Sequence, residues 1–223
     1  MIEIKLPHEK FPELKDKKEK LDTYDDKLKK AGKDAVGNIN MGMIDFFIIG
    51  VVKRSLDLVD GFILTISNWN LISAAPIIRM HLDTLLRLNY ISEILPKEAD
   101  KLVRHIMHGE NLSKFKDSEG KRLTDARLLK YAKDVFPWID IDNVYKNTSK
   151  FIHFSGRHMF VSIYNTNNEN KIMKYAIHKG SHNVKEEQIT EYYNIFIIIT
   201  DSIIKLINSW GERKKYLSDS EIS

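Results

Sequence analysis

Cysteine is absent from all 223 residues. Its absence excludes disulfides, thiolate metal sites and cysteine nucleophiles, and it fits a reducing compartment, so a cytoplasmic location is expected. Proline is scarce, with 5 residues, and glycine reaches only 10, so few positions break a helix. Long hydrophobic runs are missing too. Residues 41–52 are apolar but end at Lys53 and Arg54, and residues 195–199 end before Thr200 and Asp201. Both fall short of the about 20 apolar residues a membrane span needs, so no membrane partner is expected. Met1 leads into a charged stretch, and no secretory leader is expected. A phosphate-binding glycine loop, a Gly-x-Ser-x-Gly elbow, a dinucleotide fingerprint and a His-Glu-x-x-His motif are all lacking, which argues against the common nucleotide-dependent, hydrolase and zinc chemistries. No cofactor and no metal are expected.

What is present is globular: 43% hydrophobic and 30% charged residues, enough for one sizeable core. The net charge of +4 permits nucleic acid as a partner without requiring it, because both signs are mixed along the chain.

Helical spacing dominates. In residues 8–33 a thin apolar stripe of Phe11, Leu14, Leu21, Tyr24 and Leu28 runs through dense charge, so residues 1–37 read as a charged N-terminal helical arm lying on the core or on a partner. Residues 41–68 form a second helix. A third follows the short Asn68-Trp69-Asn70 connection, with Ser73 as N-cap and Pro76 in its first turn, which favours an antiparallel pair. Pro96 starts a helix, Thr124 caps another that stops before Pro137, and Asp140 or Asp142 opens one ending near Ser155-Gly156. Residues 159–164 and 171–177 are β-branched and aromatic, with Thr166-Asn167-Asn168 as turn material, and predict a hairpin. Asn183 and Glu186 resemble a capping box for a last, central helix that ends at Trp210-Gly211. The expected fold is an all-α multi-helix bundle with a small inserted β-hairpin at about residues 158–178, the bundle covering residues 38–213 and a flexible tail residues 214–223.

Three constellations could carry chemistry. His153, Ser155, Arg157 and His158 fall within six residues. At a helix C-terminus one imidazolium can protonate a leaving oxygen, a neutral histidine can take a hydroxyl proton, and Arg157 can hold a phosphate. Such a set suits metal-independent RNA cleavage, with the 2′-hydroxyl as nucleophile. The same residues also suit a helix cap and a hydrogen-bonded core histidine. Arg79, Asp83 and Arg87 lie four apart on the third helix, either as a paired charge row inside the bundle or as a solvated face. His105 and His108 share a face, but no carboxylate–histidine pair on another helix completes a metal site, and they read as surface histidines.

The run Pro76-Ile77-Ile78-Arg79-Met80-His81-Leu82-Asp83 resembles the paired core helices of uncharacterised bacterial helical domains near the HEPN superfamily. The run Ser149-Lys150-Phe151-Ile152-His153-Phe154-Ser155 is similar to the Ser/His-containing helix of the same group. The likeness covers roughly residues 41–210. It implies a helical bundle, a homodimer, and a role as an RNA-binding or RNA-cleaving protein of a bacterial defence or toxin type. The HEPN catalytic motif, an Arg followed by four to six residues and a His, is not matched: three residues separate Arg104 from His108, and Arg157 adjoins His158. The expected assignment is His153 or His158 as acid/base and Arg157 as phosphate stabiliser, with Arg79, Asp83, Arg87 and Ser155 as a supporting polar network. The alternatives are a non-catalytic helical dimerisation module and a sensor of a small anionic ligand held by Arg79 and Arg87.

Overall fold

The structure, a computed structural model, describes residues 5–37, 41–153, 155–156, 158, 163–167, 171–175, 180 and 184–220. Its helices are α1 (Pro7–Lys10), α2 (Lys15–Asp22), α3 (Tyr24–Val36), α4 (Met43–Ser67), α5 (Leu71–Glu93), α6 (Pro96–Met107), α7 (Asp125–Val135), α8 (Ile141–Ser149) and α9 (Glu186–Ser220). Strands β1 (Ile163–Asn167) and β2 (Ile172–Tyr175) pair antiparallel between α8 and α9. The fold is therefore an all-α multi-helix bundle carrying the expected hairpin. Thr166 and Asn167 lie within β1, not in its turn; residues 159–162 lie outside the described residues. No helix among the described residues is long and apolar enough to cross a membrane.

Four helices make the centre. α3 packs on α4, α4 on α5, α5 on α9 and α9 back on α3, and α7 and α8 cover the other side of α5. This is why α5 is buried on nearly every side, from Ala74 and Ile78 to Leu88 and Ile91. α4 and α5 run antiparallel across the short Asn68-Trp69-Asn70 turn: Arg54 meets Thr84, and a Cβ on Gly61 would touch Ile77. Trp69 takes a left-handed backbone (φ 57°), strained for a large residue. Its buried indole donates to the Lys5 carbonyl at 2.9 Å. Asn70, not Ser73, caps α5, its side chain accepting from the Ser73 amide. Pro76 thus falls in the helix interior, where it has no amide to give to the Ile72 carbonyl four residues back.

The N-terminal segment is a wall of the bundle. Leu14, Leu21, Tyr24, Leu28, Ala31 and Ala35 are buried in the same core as α4, α5 and α9. The Tyr24 hydroxyl donates to Asp201 on α9 at 2.7 Å, and Lys20 pairs with the other oxygen at 2.7 Å. The stripe looks thin in sequence because its last two members are alanines. The C-terminal expectation also needs correcting, since α9 passes through Gly211 to Ser220. A Cβ at Gly211 would lie 2.8 Å from the Ala35 Cα, so this glycine lets α9 and α3 touch and does not end the helix. Lys214 belongs to the core as well. It donates to the Asp45 carboxylate at 2.7 Å and to the Val36 carbonyl at 2.8 Å. Asp45, 1% exposed, also accepts from Trp210 Nε1 at 3.1 Å and from the Gly42 amide at 2.8 Å. Asn183 lies outside the described residues.

Candidate functional site

The residues at 79, 83 and 87 pair with one another, as in the first of the two alternatives, and Arg79 at the head of the row faces α7 and α8. Arg79 is buried at 5% exposure, and each guanidinium nitrogen has a partner. Nη1 donates to Asp83, Nη2 lies 3.5 Å from Asp125, and Nε donates to Ser149 Oγ at 3.2 Å. The guanidinium sits 3.7 Å from the ring centre of Tyr145, a geometry in which its charge meets the π face. Tyr145 donates in turn to Asp125 at 2.8 Å, and Ser149 Oγ to the Tyr145 carbonyl at 2.6 Å. Burial, and then the bond to Asp125, raises the pKa of the Tyr145 hydroxyl. The arrangement clamps α5, α7 and α8 together. It gives every nitrogen of Arg79 a partner and neutralises Asp83.

Two further arginines lie along the neighbouring, half-open seam of α5. Arg87 Nη1 donates to the Asp83 carbonyl at 3.0 Å and lies 3.4 Å from its carboxylate. Arg54, reaching over from α4, donates from Nε to Thr84 Oγ1 at 3.0 Å, and the Thr84 hydroxyl donates to the Met80 carbonyl at 3.1 Å. Thr84 and Arg87 are three residues apart and therefore neighbours on one helix face. Among the described residues these bonds use one guanidinium nitrogen of each arginine. Arg54 is exposed and Arg87 half-buried.

The histidine cluster is placed differently from expectation. α8 ends at Ser149, so His153 and His158 lie in the segment beyond it, not on its last turn. His153 is exposed. The Ser155 amide donates to His158 Nδ1 at 3.2 Å, Ser155 Oγ donates to the Lys150 carbonyl at 2.7 Å, and His158 meets the Phe151 ring edge-on at 5.8 Å. Since Nδ1 accepts, the neutral ring carries its hydrogen on Nε2. Arg157 lies outside the described residues. Ser155 joins this segment and does not reach the Arg79 clamp, to which the loop is connected through Ser149 and Lys150.

His105 ties down the following loop: its Nε2 donates to the Asn111 carbonyl at 3.0 Å, and Nδ1 lies 3.3 Å from Glu110. His108 is exposed. Among the described residues no three His, Asp or Glu side chains gather as metal ligands would.

Sequence reasoning missed Tyr145, Asp125, Ser149, Arg54 and Thr84. The available signal was the spacing of Tyr145 and Ser149, four apart on α8. It also passed over His81, fully buried on α5. His81 stacks on Phe196 at 4.7 Å, and Phe196 stacks on Phe62 at 4.1 Å. Thr200 gives its hydroxyl hydrogen to the Phe196 carbonyl at 2.8 Å, so it accepts from His81 Nε2 at 3.0 Å. His81 Nδ1 is buried without a partner. Burial first, and the charge of Arg54 second, lower its pKa from 6.5 to about 3, and the ring is neutral.

No family model matches this chain, and no curated protein and no solved structure is significantly similar to it.

Proposed function

We propose that this protein binds RNA through backbone phosphates laid along the seam between α4 and α5. The observation that carries the reading is the pair Arg54 and Arg87. Thr84 holds Arg54 through Nε and the Asp83 carbonyl holds Arg87 through Nη1, so each guanidinium is anchored through one nitrogen. A pre-oriented guanidinium loses little freedom when it takes up a phosphate, and it can do so with two parallel hydrogen bonds. Asp83 does not oppose an anion here, because Arg79 holds its charge. The likeness to HEPN proteins of defence and toxin systems, many of them RNases, points to the same partner.

The test is fluorescence anisotropy of a labelled single-stranded RNA at low salt. Wild type binds, and R54A and R87A each weaken binding several-fold while K15A, an exposed residue at the start of α2, does not. Inorganic phosphate and a mononucleotide serve as competitors. If either displaces RNA at low concentration, the site is that of a small-anion sensor. Absence of RNA binding by wild type, or equal binding by the two arginine variants, defeats the proposal.

Cleavage is a second reading, favoured by one contact. The Ser155 amide on Nδ1 sets the neutral His158 ring with its hydrogen on Nε2, a state that can give a hydrogen bond to a phosphate oxygen on which charge develops. The assay is degradation of total RNA in excess EDTA. Loss of cleavage in folded H153A or H158A supports an RNase, and no cleavage by any form leaves a non-catalytic binding module.

A further inference from the structure

α4 turns one face away from the bundle, and that face carries exposed apolar residues. Phe46 is 52% exposed, Ile49 44% and Leu64 64%. Gly50, Lys53, Asp57 and Asp60 lie between them and are exposed as well. The positions 46, 49, 50, 53, 57, 60 and 64 step by three and four and so share one face of the helix. Their order is symmetric about residue 55. Phe46 and Leu64 stand nine residues to either side, Gly50 and Asp60 five, and Lys53 and Asp57 two.

We propose that this face is the contact of a two-fold homodimer, in which two α4 helices cross antiparallel about residue 55. A two-fold contact sets residue i against the partner's j and j against the partner's i. Here Phe46 lies against the partner's Leu64 at both ends, about 27 Å apart at 1.5 Å per residue. At the centre Lys53 lies against the partner's Asp57, and Asp57 against the partner's Lys53. Within one chain Lys53 and Asp57 already pair, so the dimer builds a ring of four alternating charges. Charge is what selects a reversed second copy as the occupant. A parallel copy would oppose Lys53 to Lys53 and Asp57 to Asp57, which is repulsive. A Cβ built on Gly50 meets nothing within 4 Å, so the chain presents bare backbone where the other helix comes near.

The symmetry has a consequence for the seam, although the dimer does not rest on RNA binding. A two-fold axis perpendicular to both helices keeps their flanks on the same side. The Arg54–Thr84 pair of each protomer then borders one side of the contact, and the two seams adjoin.

The test is sedimentation velocity of the full chain over a series of concentrations, with circular dichroism to confirm folding. Wild type shows a concentration-dependent dimer. K53D and D57K each set like charges together at both symmetric positions, and each raises the dimer Kd roughly tenfold or more. Mixed in equal amounts, the two variants recover wild-type association, because every contact between chains is again Asp with Lys. Both variants lack the pair within the helix, so recovery on mixing reads the contact between chains alone. F46E and L64E each give monomer. A wild type that is monomeric throughout, single variants that dimerise as it does, or a mixture no tighter than either variant overturns the proposal. RNA binding is measured separately by anisotropy, so the two readings fail independently.

Discussion

Protonating His81 would place a charge between Phe196 and the interior of α9, within the field of Arg54. In the unfolded chain the same ring takes a proton near pH 6.5, and in the folded chain only near 3. The unfolded state therefore binds more protons between these values, and stability present above pH 6.5 is lost as pH falls towards 3. The slope reaches about 1.4 kcal/mol per pH unit for one group. Asp34 and Asp117, held below their ordinary 3.8, add a loss in the same direction only at lower pH. Urea unfolding across pH 4–7 should show the slope in wild type and not in H81Q; equal slopes would remove His81 as its source. The Arg79 clamp predicts an asymmetry between its two partners. D83A strands a buried guanidinium with one half-exposed carboxylate at 3.5 Å, and should cost about 3–5 kcal/mol. R79M leaves carboxylates that reach water and keeps a side chain of similar length, and should cost about 1–2 kcal/mol. Unfolding midpoints in the reverse order would contradict this account of the clamp. The fourfold spacing of Arg79, Asp83 and Arg87 made the row legible in sequence. Its partners Asp125, Tyr145 and Ser149 lie 46 to 70 positions from Arg79, and no local pattern joins them. His81 was unreadable for a related reason: it is kept neutral by burial, against a ring 115 positions away, and by the charge of Arg54 on the neighbouring helix.

Element starts were legible where one residue sets them, as with Pro96, Thr124 and Asp140, all at helix N-termini as expected. Ends were less so, because a glycine can stop a helix or admit a neighbour, and only the packed structure tells which. Gly211 admits Ala35. G211V should therefore force α9 and α3 apart and cost about 1–3 kcal/mol in denaturant unfolding, although valine is as helix-competent as glycine or better. A wild-type midpoint would show that the helices separate freely there. The residues after it are equally structural. Removing residues 214–223 deletes Lys214 and leaves the Asp45 carboxylate with the indole of Trp210 and the amide of Gly42. The truncated chain should lose about 3–5 kcal/mol, as should K214A. A truncated chain as stable as the full one would return this segment to the role of a dispensable tail.

At the scale of the molecule, fold class followed from helical spacing over most of the chain, and the N-terminal wall was underestimated because Ala31 and Ala35 pack closely while contributing little hydrophobic signal. The candidate site moved further. Expectation centred it on the segment at 153–158, whose chemistry is legible as residue types, whereas Arg54 of α4 is held on Thr84 of α5, a juxtaposition that only the antiparallel pair creates, with Arg87 three residues further along α5. The reading of that seam as a phosphate contact makes a quantitative claim about salt. Each phosphate neutralised on a single strand contributes roughly 0.7 to the fall of log K with log salt. The most direct measurement is RNA affinity as a function of salt for wild type and for R54A/R87A. If both arginines hold phosphates, the double variant loses about 1.4 from the slope as well as affinity. An unchanged slope would mean that whatever RNA the protein binds lies elsewhere on its surface.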